Sequence, residues 1–443
     1  MQRELVMELA WAALGAANPA RAVARCLRLE APPARLWVGE SACDLSAPGR
    51  VVVVGAGKAG AGMAAAVEAF LGPRIDAGWV NVAYGYQPAH PLSQVHIHPA
   101  GHPLPDAATL EGSRHILSIL DGLRAGDLAL VLLSGGASAL LEQPLEEVSL
   151  ADLRAVTGML LRSGAAIREI NAVRKHLSRV KGGRLAQRVV ERGAQVAVLV
   201  ISDVVGNPLD AIGSGPCAPD PTTFADAWAV LERRGLLEQA PPAVRRVLEQ
   251  GCAGLLPETP KPGDPLFARV RHEIVADNRT AAQAAVERAQ ALGLHARLLT
   301  TSLEGEARQA GEMLAALARQ LSADPSLPRP ACLVLGGETT VTVRGGGRGG
   351  RNQEVALAAA LALDGCPGVL VATLATDGVD GPTDAAGAIV DGSTVARCRA
   401  QGLDPQAHLD ANDVYPLFAA LGDLIVTGPT GTNVNDLAFV LIF

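Results

Sequence analysis

Four consecutive valines that run straight into a glycine-rich turn, Val51-Val-Val-Val-Gly-Ala-Gly-Lys-Ala-Gly-Ala-Gly62, restrict this chain more than any other stretch. A strand with no polar face must be covered on both sides, which is the environment of a parallel strand inside an α/β fold. The turn leads into an apolar helical run, Met63–Leu71, so strand, turn and helix form the first half of a βαβ unit. Glycines such as Gly55 and Gly57 let backbone N–H groups approach an anion without interference from a Cβ, and the helix N-terminus adds its dipole. Lys58 then places a full positive charge at the mouth of the turn.

Two familiar phosphate-binding patterns fail here. Gly55-Ala-Gly57-Lys-Ala-Gly60 fits G-x-G-x-x-G, but a dinucleotide site also needs an acidic residue about 20 positions on, at the end of the next strand. That strand is predicted over Trp79–Tyr84 and ends in Gly85-Tyr86-Gln87, while Asp76 lies before it. A P-loop needs Ser or Thr after its lysine, and Ala59 stands there. What remains is an anion-binding turn with a lysine in an unusual frame, or a packing turn with Lys58 in solvent. The chain has only four lysines, at 58, 175, 181 and 261, among 38 basic residues. A sequence that otherwise uses arginine keeps lysine where a compact, movable ammonium is required.

The strand-then-turn pattern recurs. Leu128–Leu133 leads to Ser134-Gly135-Gly136-Ala-Ser138, and Gln195–Ile201 leads to Ser202-Asp203 and the long loop 206–216. Ala331–Leu335 leads to Gly336-Gly337-Glu338, followed by a short predicted strand Thr339–Val343. Residues 345–351, with five glycines and two arginines, read as an anion-binding loop that opens the helix of Arg351 and Asn352. Val369–Ala375 leads to Thr376-Asp377, and Leu424–Val426 to a polar turn around Thr430. Lys58, Ser134, Asp203, Glu338, Asp377 and Thr430 thus all follow the carboxyl end of a predicted strand, the edge where open α/β sheets bind ligands.

At 443 residues the chain exceeds one ordinary core. The Pro-rich segment 253–265 reads as a surface linker, which predicts domains over 1–250 and 266–443. A net charge of −7 argues against a nucleic-acid partner. Seven cysteines without a C-x-x-C pair suit reduced thiols in a cytoplasm, and no stretch reads as a membrane span. Residues 1–30 are predicted helical, amphipathic rather than a signal peptide, and ended by Pro32-Pro33. Asp106 should cap a helix to Asp121. His96 and His98 would share a strand face, but without neighbouring Cys or carboxylate ligands they make a poor zinc site. Residues 149–190 are predicted helical, with a buried stripe at 167, 170, 173, 177 and 180. Arg168, Arg174, Lys175, Arg179 and Lys181 would form its solvated face.

Cations, glycine turns and carboxylates gathered at one sheet edge are the inventory of phosphoryl transfer. Eight segments in order, VVVVGAGKAGAGMA, GHPLPD, LLSGGASALL, REINAVRKHLSRVKGGRLA, SDVVGNPLDAIGSGP, LGGETTVTV with GGRNQE, ATDGVDGPTDAAGA and GPTGTNVND, resemble the class II glycerate kinases, the glycerate 2-kinase or MOFRL family. The resemblance implies a larger N-terminal Rossmann-like domain and a smaller C-terminal α/β domain with a cleft between them. It also implies ATP-dependent phosphorylation of the 2-hydroxyl of D-glycerate, with Mg²⁺ or another divalent cation. The family's catalytic lysine, aspartate and arginine fall on Lys58, Asp203 and Arg351. On this reading Asp203 and Asp377 are metal-ligand candidates, Asp203 being a base candidate too. Gly55, Gly57, Ser134, Gly135, Gly136, Ser138, Gly336, Gly337, Glu338 and Asn352 would bind substrate and nucleotide. The partners are small molecules, not nucleic acid or membrane, and a homodimer is compatible with the reading. An NAD(P)H-dependent hydroxypyruvate reductase and a non-catalytic sensor of a phosphorylated sugar acid are the alternatives.

Overall fold

The computed structural model describes residues 2–31, 34–45, 49–88 and 90–443. They form two compact units, one of residues 19–202 and 207–275, the other of residues up to 18, 203–206 and 276–443. Both are α/β.

The first unit opens with a small antiparallel sheet, β1 (Leu27–Glu30), β2 (Arg35–Val38) and β3 (Ser41–Asp44). The predicted N-terminal helix is therefore shorter than expected, being the helices Gln2–Ala16 and Pro19–Cys26. Leu27 and Leu29 alternate with Arg28 and Glu30, a two-residue period that fits a half-covered strand better than a helix. The Pro32-Pro33 stop lies outside the described residues.

The main sheet of this unit contains β4 (Val51–Ala56), β5 (Ile75–Ala83), β6 (Val95–Ala100), β7 (Leu128–Leu133), β8 (Gln195–Ile201) and β9 (Val270–Ala276), in the order β6-β5-β4-β7-β8-β9. The pairs around β4 and β7 are parallel, and every residue of those two strands is buried, as the run of valines requires. Strand order runs outward in opposite directions from the β4–β7 pair. That reversal opens a crevice at the carboxyl ends of β4 and β7, because their following connections leave to opposite sides. Lys58 follows β4 and Ser134 follows β7.

Asp106 caps the helix Ala107–Asp121 as expected, in a reciprocal box with Thr109. The predicted helical block 149–190 is instead three helices, Leu150–Arg162, Ile167–His176 and Arg184–Glu191. Gly182 and Gly183, both at positive φ, break it. Of its stripe, Ile170, Val173, Leu177 and Val180 are buried, but Ile167 is exposed. The segment 253–265 is not a free linker, since Thr259 is buried and bonds Asp220, whose N–H in turn reaches the Pro260 carbonyl. His96 and His98 do share a face, packed with His115 around Trp79, and the His98 Nε2 bonds the Ala108 carbonyl.

The second unit carries a mixed sheet of β10 (His295–Glu306), β11 (Ala331–Thr340), β12 (Val369–Ala375), β13 (Gly387–Asp391), β14 (Leu424–Ile425) and β15 (Asp436–Ile442), in the order β10-β11-β15-β12-β13-β14. Among its described residues β10 and β11 pair in parallel and the other neighbours antiparallel, with β15 inserted between β11 and β12. Helices Ala307–Ser322 and Arg351–Ala362 pack closely where Gly311 faces Val355, Ala358 and Ala359. A Cβ on Gly311 would lie 2.3 Å from the Val355 carbonyl oxygen, so glycine sets that close approach. Strand β11 runs to Thr340, so Glu338 lies within a strand rather than past its end, and no separate strand covers 339–343.

Candidate active site

At the switch point the turns after β4 and β7 are stitched together. Lys58 N–H donates to the Gly135 carbonyl (2.8 Å), Ala59 N–H to Ser134 Oγ (3.0 Å), Gly57 N–H to the Asn81 carbonyl (3.1 Å) and Ser134 N–H to the Ala56 carbonyl (3.2 Å). Gly57 sits at φ 141°, and a Cβ on it would meet Ser134 Oγ at 2.0 Å. Gly55 is needed for sheet packing, since its Cβ would meet the Leu132 carbonyl oxygen at 2.2 Å. The amides of residues 57–59 are therefore committed within the protein and form no anion cradle. What this turn offers is the Lys58 side chain, whose ammonium has no ion pair or hydrogen bond among the described residues. The neighbouring amides of Gly135 and Gly136 likewise donate to no protein acceptor among them. The unspent amide donors expected in the first glycine turn thus lie in the second, beside Lys58.

Behind this turn lies a network that the sequence reading assigned to solvent. Lys175 and Lys181 are buried. Lys175 pairs with Asp210 (3.3 Å) and Asp220 (3.2 Å), which anchors the long loop 206–216 to the helix Ile167–His176. The Lys181 ammonium donates to the carbonyls of Ser138 and Leu141, each at 2.8 Å, and lies 3.6 Å from the wholly buried Glu142. Arg174 donates to the same Ser138 carbonyl. Ser138 Oγ lies 2.9 Å from Ser214 Oγ, which donates to Asn171, so the Ser138 hydroxyl is engaged inside the protein. Burial lowers Lys181 to about 8, partly opposed by Glu142. Lys181→Met leaves the buried Glu142 with Arg174 as its remaining counter-charge and no ion pair, and the expected loss is about 3 kcal/mol of unfolding free energy. Urea denaturation measures it, and a loss under about 1 kcal/mol would show that this ion pair does not matter.

In the second unit Arg351 opens its helix and is held by two carboxylates. Its Nε and Nη2 form a fork with Asp436 (2.6 and 3.1 Å), and Nη1 donates to Glu338 (2.7 Å). The fork is possible because β11 and β15 align Gly337 with Asp436, one residue from Glu338. Burial works against the guanidinium charge, but Asp436 and Glu338 outweigh it and hold Arg351 firmly protonated. Burial pushes the Asp436 carboxyl up to about 6 despite the arginine. Asp380 lies under the same helix start and accepts the N–H groups of Asn352 (3.0 Å) and Gln353 (2.9 Å). Burial raises its carboxyl, and those amides partly counter the effect.

The remaining sequence candidates are placed less directly. Part of the loop 344–350 spends its amides inside the protein, with Gly345 N–H on Asn412, Gly347 N–H on the Ala411 carbonyl and Arg348 N–H on Asp413, while the Gly346, Gly349 and Gly350 amides donate to no acceptor among the described residues. The part of the loop from 344 to 348 is thus pinned to the segment 411–413. Gly336 lies against Asn278 and Gly337 against Leu303, and neither can carry a Cβ at the present spacing. Asp377 Oδ1 accepts the N–H of Val379, closing its own turn (3.1 Å). Asp203 belongs to the segment 203–206 that groups with residues 276–443. No cluster of three His, Cys, Asp or Glu groups poised for a metal occurs among the described residues.

Three side chains at these places were missed from sequence: His102, Asp380 and Asp436. The first is the histidine of GHPLPD, directly after β6, and its ring packs over Gly136. Asp436 closes the GPTGTNVND turn, where its lone carboxylate could have been matched to Arg351 only by knowing that β15 lies beside β11.

Comparison with known proteins gives matches along the chain. The MOFRL family profile matches residues 331–436, and a family described as Domain of unknown function (DUF4147) matches residues 5–249. The D-glycerate 2-kinase of Thermotoga maritima is 46% identical over 394 residues, covering 89% of this chain and 91% of that protein. The glycerate 2-kinase of Pyrococcus horikoshii is 42% identical, covering 99% and 97%. The crystal structure of glycerate kinase from Thermotoga maritima superposes with a TM-score of 0.88 at 43% identity, covering 100% of this chain and 99% of that one.

Proposed function

The chain belongs to the glycerate 2-kinase family, and from that premise we propose that it transfers the γ-phosphoryl group of ATP to the 2-hydroxyl of D-glycerate, giving 2-phosphoglycerate. The observation that carries the mechanism is the uncommitted Lys58 ammonium at the β4–β7 switch point, with the Gly135 and Gly136 amides beside it. As the bond from the γ-phosphorus to its bridging oxygen breaks and the bond to the substrate oxygen forms, charge spreads over the transferred oxygens. Lys58 and Arg351 each balance part of it. Ser134 fixes the Lys58 turn through Ala59. Glu338 and Asp436 aim Arg351, and Asn352 braces the helix start on Asp380. Asp203 would hold Mg²⁺ or accept the hydroxyl proton. Magnesium on a nucleotide needs only one or two protein carboxylates; Asp203 and Asp377 would be the candidates to hold it, and it would neutralise phosphate charge.

The reductase alternative lacks support from the fold. Its ribose-binding acid should stand at the end of β5, yet Asp76 is at the start of that strand and accepts the N–H of Val51 (2.8 Å). Placement in the cytoplasm is part of the proposal and accords with seven unpaired cysteines. Among the described residues no helix is long and apolar enough to cross a membrane. The proposed two-domain division has the sequence-read bounds 1–250 and 266–443, whereas the compact units change at 18/19 and 275/276, and limited proteolysis distinguishes the two.

The direct test is incubation with D-glycerate, ATP and Mg²⁺ followed by ³¹P NMR. The expected spectrum shows ADP and 2-phosphoglycerate. A 3-phosphoglycerate signal would overturn the regiochemistry, and unchanged ATP would overturn the kinase reading.

A further inference from the structure

His102 is exposed and follows the carboxyl end of β6 in the first unit. Its ring Cδ2 and Nε2 lie 2.9 and 3.0 Å from the point where a Cβ would stand on Gly136, and Lys58 Cγ lies 3.6 Å from that same point. Gly136 is at φ 85°, so glycine is required there both by the backbone and by the imidazole packed over it. Neither ring nitrogen of His102 makes a hydrogen bond among the described residues, whereas His98, His176 and His408 each bond a backbone carbonyl. An exposed ring with two unspent nitrogens thus sits beside an unspent ammonium and two unspent amides.

We propose that His102 is a substrate-contacting residue that hydrogen-bonds a hydroxyl of the small hydroxy acid beside Lys58. The proposal rests on the kinase reading and assigns to it a residue on the acceptor side. Its chemistry favours a hydroxyl over a phosphate. Partial desolvation of the ring against the turn, and then the Lys58 charge, lower the imidazole below the usual histidine range, so it is neutral at pH 7. A neutral imidazole offers one donor and one acceptor. A hydroxyl can pair with either, as donor or as acceptor, while a phosphate oxygen can use only the donor and is better served by Lys58.

The test compares His102→Phe, which keeps a planar ring without nitrogens, with His102→Gln, which returns an amide at similar reach. Steady-state kinetics with each substrate varied should show the Phe variant raising KM for D-glycerate about tenfold, with KM for ATP within about twofold. The Gln variant should recover most of the loss, and melting temperatures should not change because the side chain is exposed. A glycerate KM within twofold of wild type in the Phe variant, or an equal rise in the ATP KM, overturns the assignment. Calorimetric titration of D-glycerate into wild type and the Phe variant separates this failure from failure of the kinase reading. If wild type does not turn over but binds glycerate more tightly than the variant, His102 stands and the kinase reading falls. Equal binding by both removes His102.

Discussion

Lys58→Ala is expected to lower kcat by about 10³-fold while KM for D-glycerate and for ATP changes by no more than about threefold. The argument starts from what surrounds the ammonium. The lysines at 175, 181 and 261 are held by protein acceptors: Asp210 and Asp220, the Ser138 and Leu141 carbonyls, and Thr259 with Glu258. Lys58 has no such acceptor among the described residues, so removing it costs little folding energy and the loss falls on the reaction. A cation that meets charge developing on a transferred phosphoryl group binds the transition state better than the ground state, and its deletion therefore appears in kcat. Lys58→Arg should recover little, because the planar guanidinium cannot occupy the position of a compact ammonium. Turnover of the Ala variant within tenfold of wild type would remove Lys58 from the chemistry.

The second large effect concerns a residue that contacts Arg351. Asp436→Asn keeps the shape of the side chain but halves the acceptors of the fork and removes its charge, leaving Glu338 as the sole carboxylate on the guanidinium. A misplacement of about 1 Å at a positioning group costs about 10²-fold, and kcat is expected to fall by that amount. The pH profile gives an independent readout. Burial has raised Asp436 to about 6, so the carboxylate is charged at neutral pH and takes up a proton as the pH falls through that value. Protonation removes the negative charge from Arg351, so wild-type kcat should decline on the acid side with a limb near pH 6. Asn cannot titrate, and the variant should lack that limb. A limb that persists unchanged in the variant belongs to another group, and kcat within twofold of wild type would mean that Glu338 alone orients the arginine.

Local reading went far where side-chain pattern and backbone demand coincide. The all-apolar runs 51–54 and 128–133 announced strands covered on both faces, and the glycines after them marked turns at the carboxyl edge. Asp106 announced its helix cap, because an N-cap bond spans only three residues. Reading failed wherever a partner distant in sequence decided the outcome. The basic residues from 174 to 181 look like a solvated face on a helical wheel, yet Lys181 is wholly buried because the Ser138 and Leu141 carbonyls and Glu142 come from another turn. The glycine-rich loop 344–350 looks open from its composition, yet Asn412 and Asp413, more than sixty residues later, take up the amides of Arg344, Gly345 and Arg348.

The sequence by itself determined the class of fold, the buried strands and turns around 51–60, 128–138 and 195–203, and that lysine and glycine would stand at a strand's carboxyl end. Those properties follow from period, burial and φ, which a residue and its near neighbours set. Only the tertiary structure decided that the open amides belong to Gly135 and Gly136 rather than to residues 57–59, that His102 covers Gly136, and that Asp436 orients Arg351. Each of these depends on which strand lies beside which. Strand order is settled by long-range pairing and by burial on both faces of a sheet, terms that no local window of the chain contains.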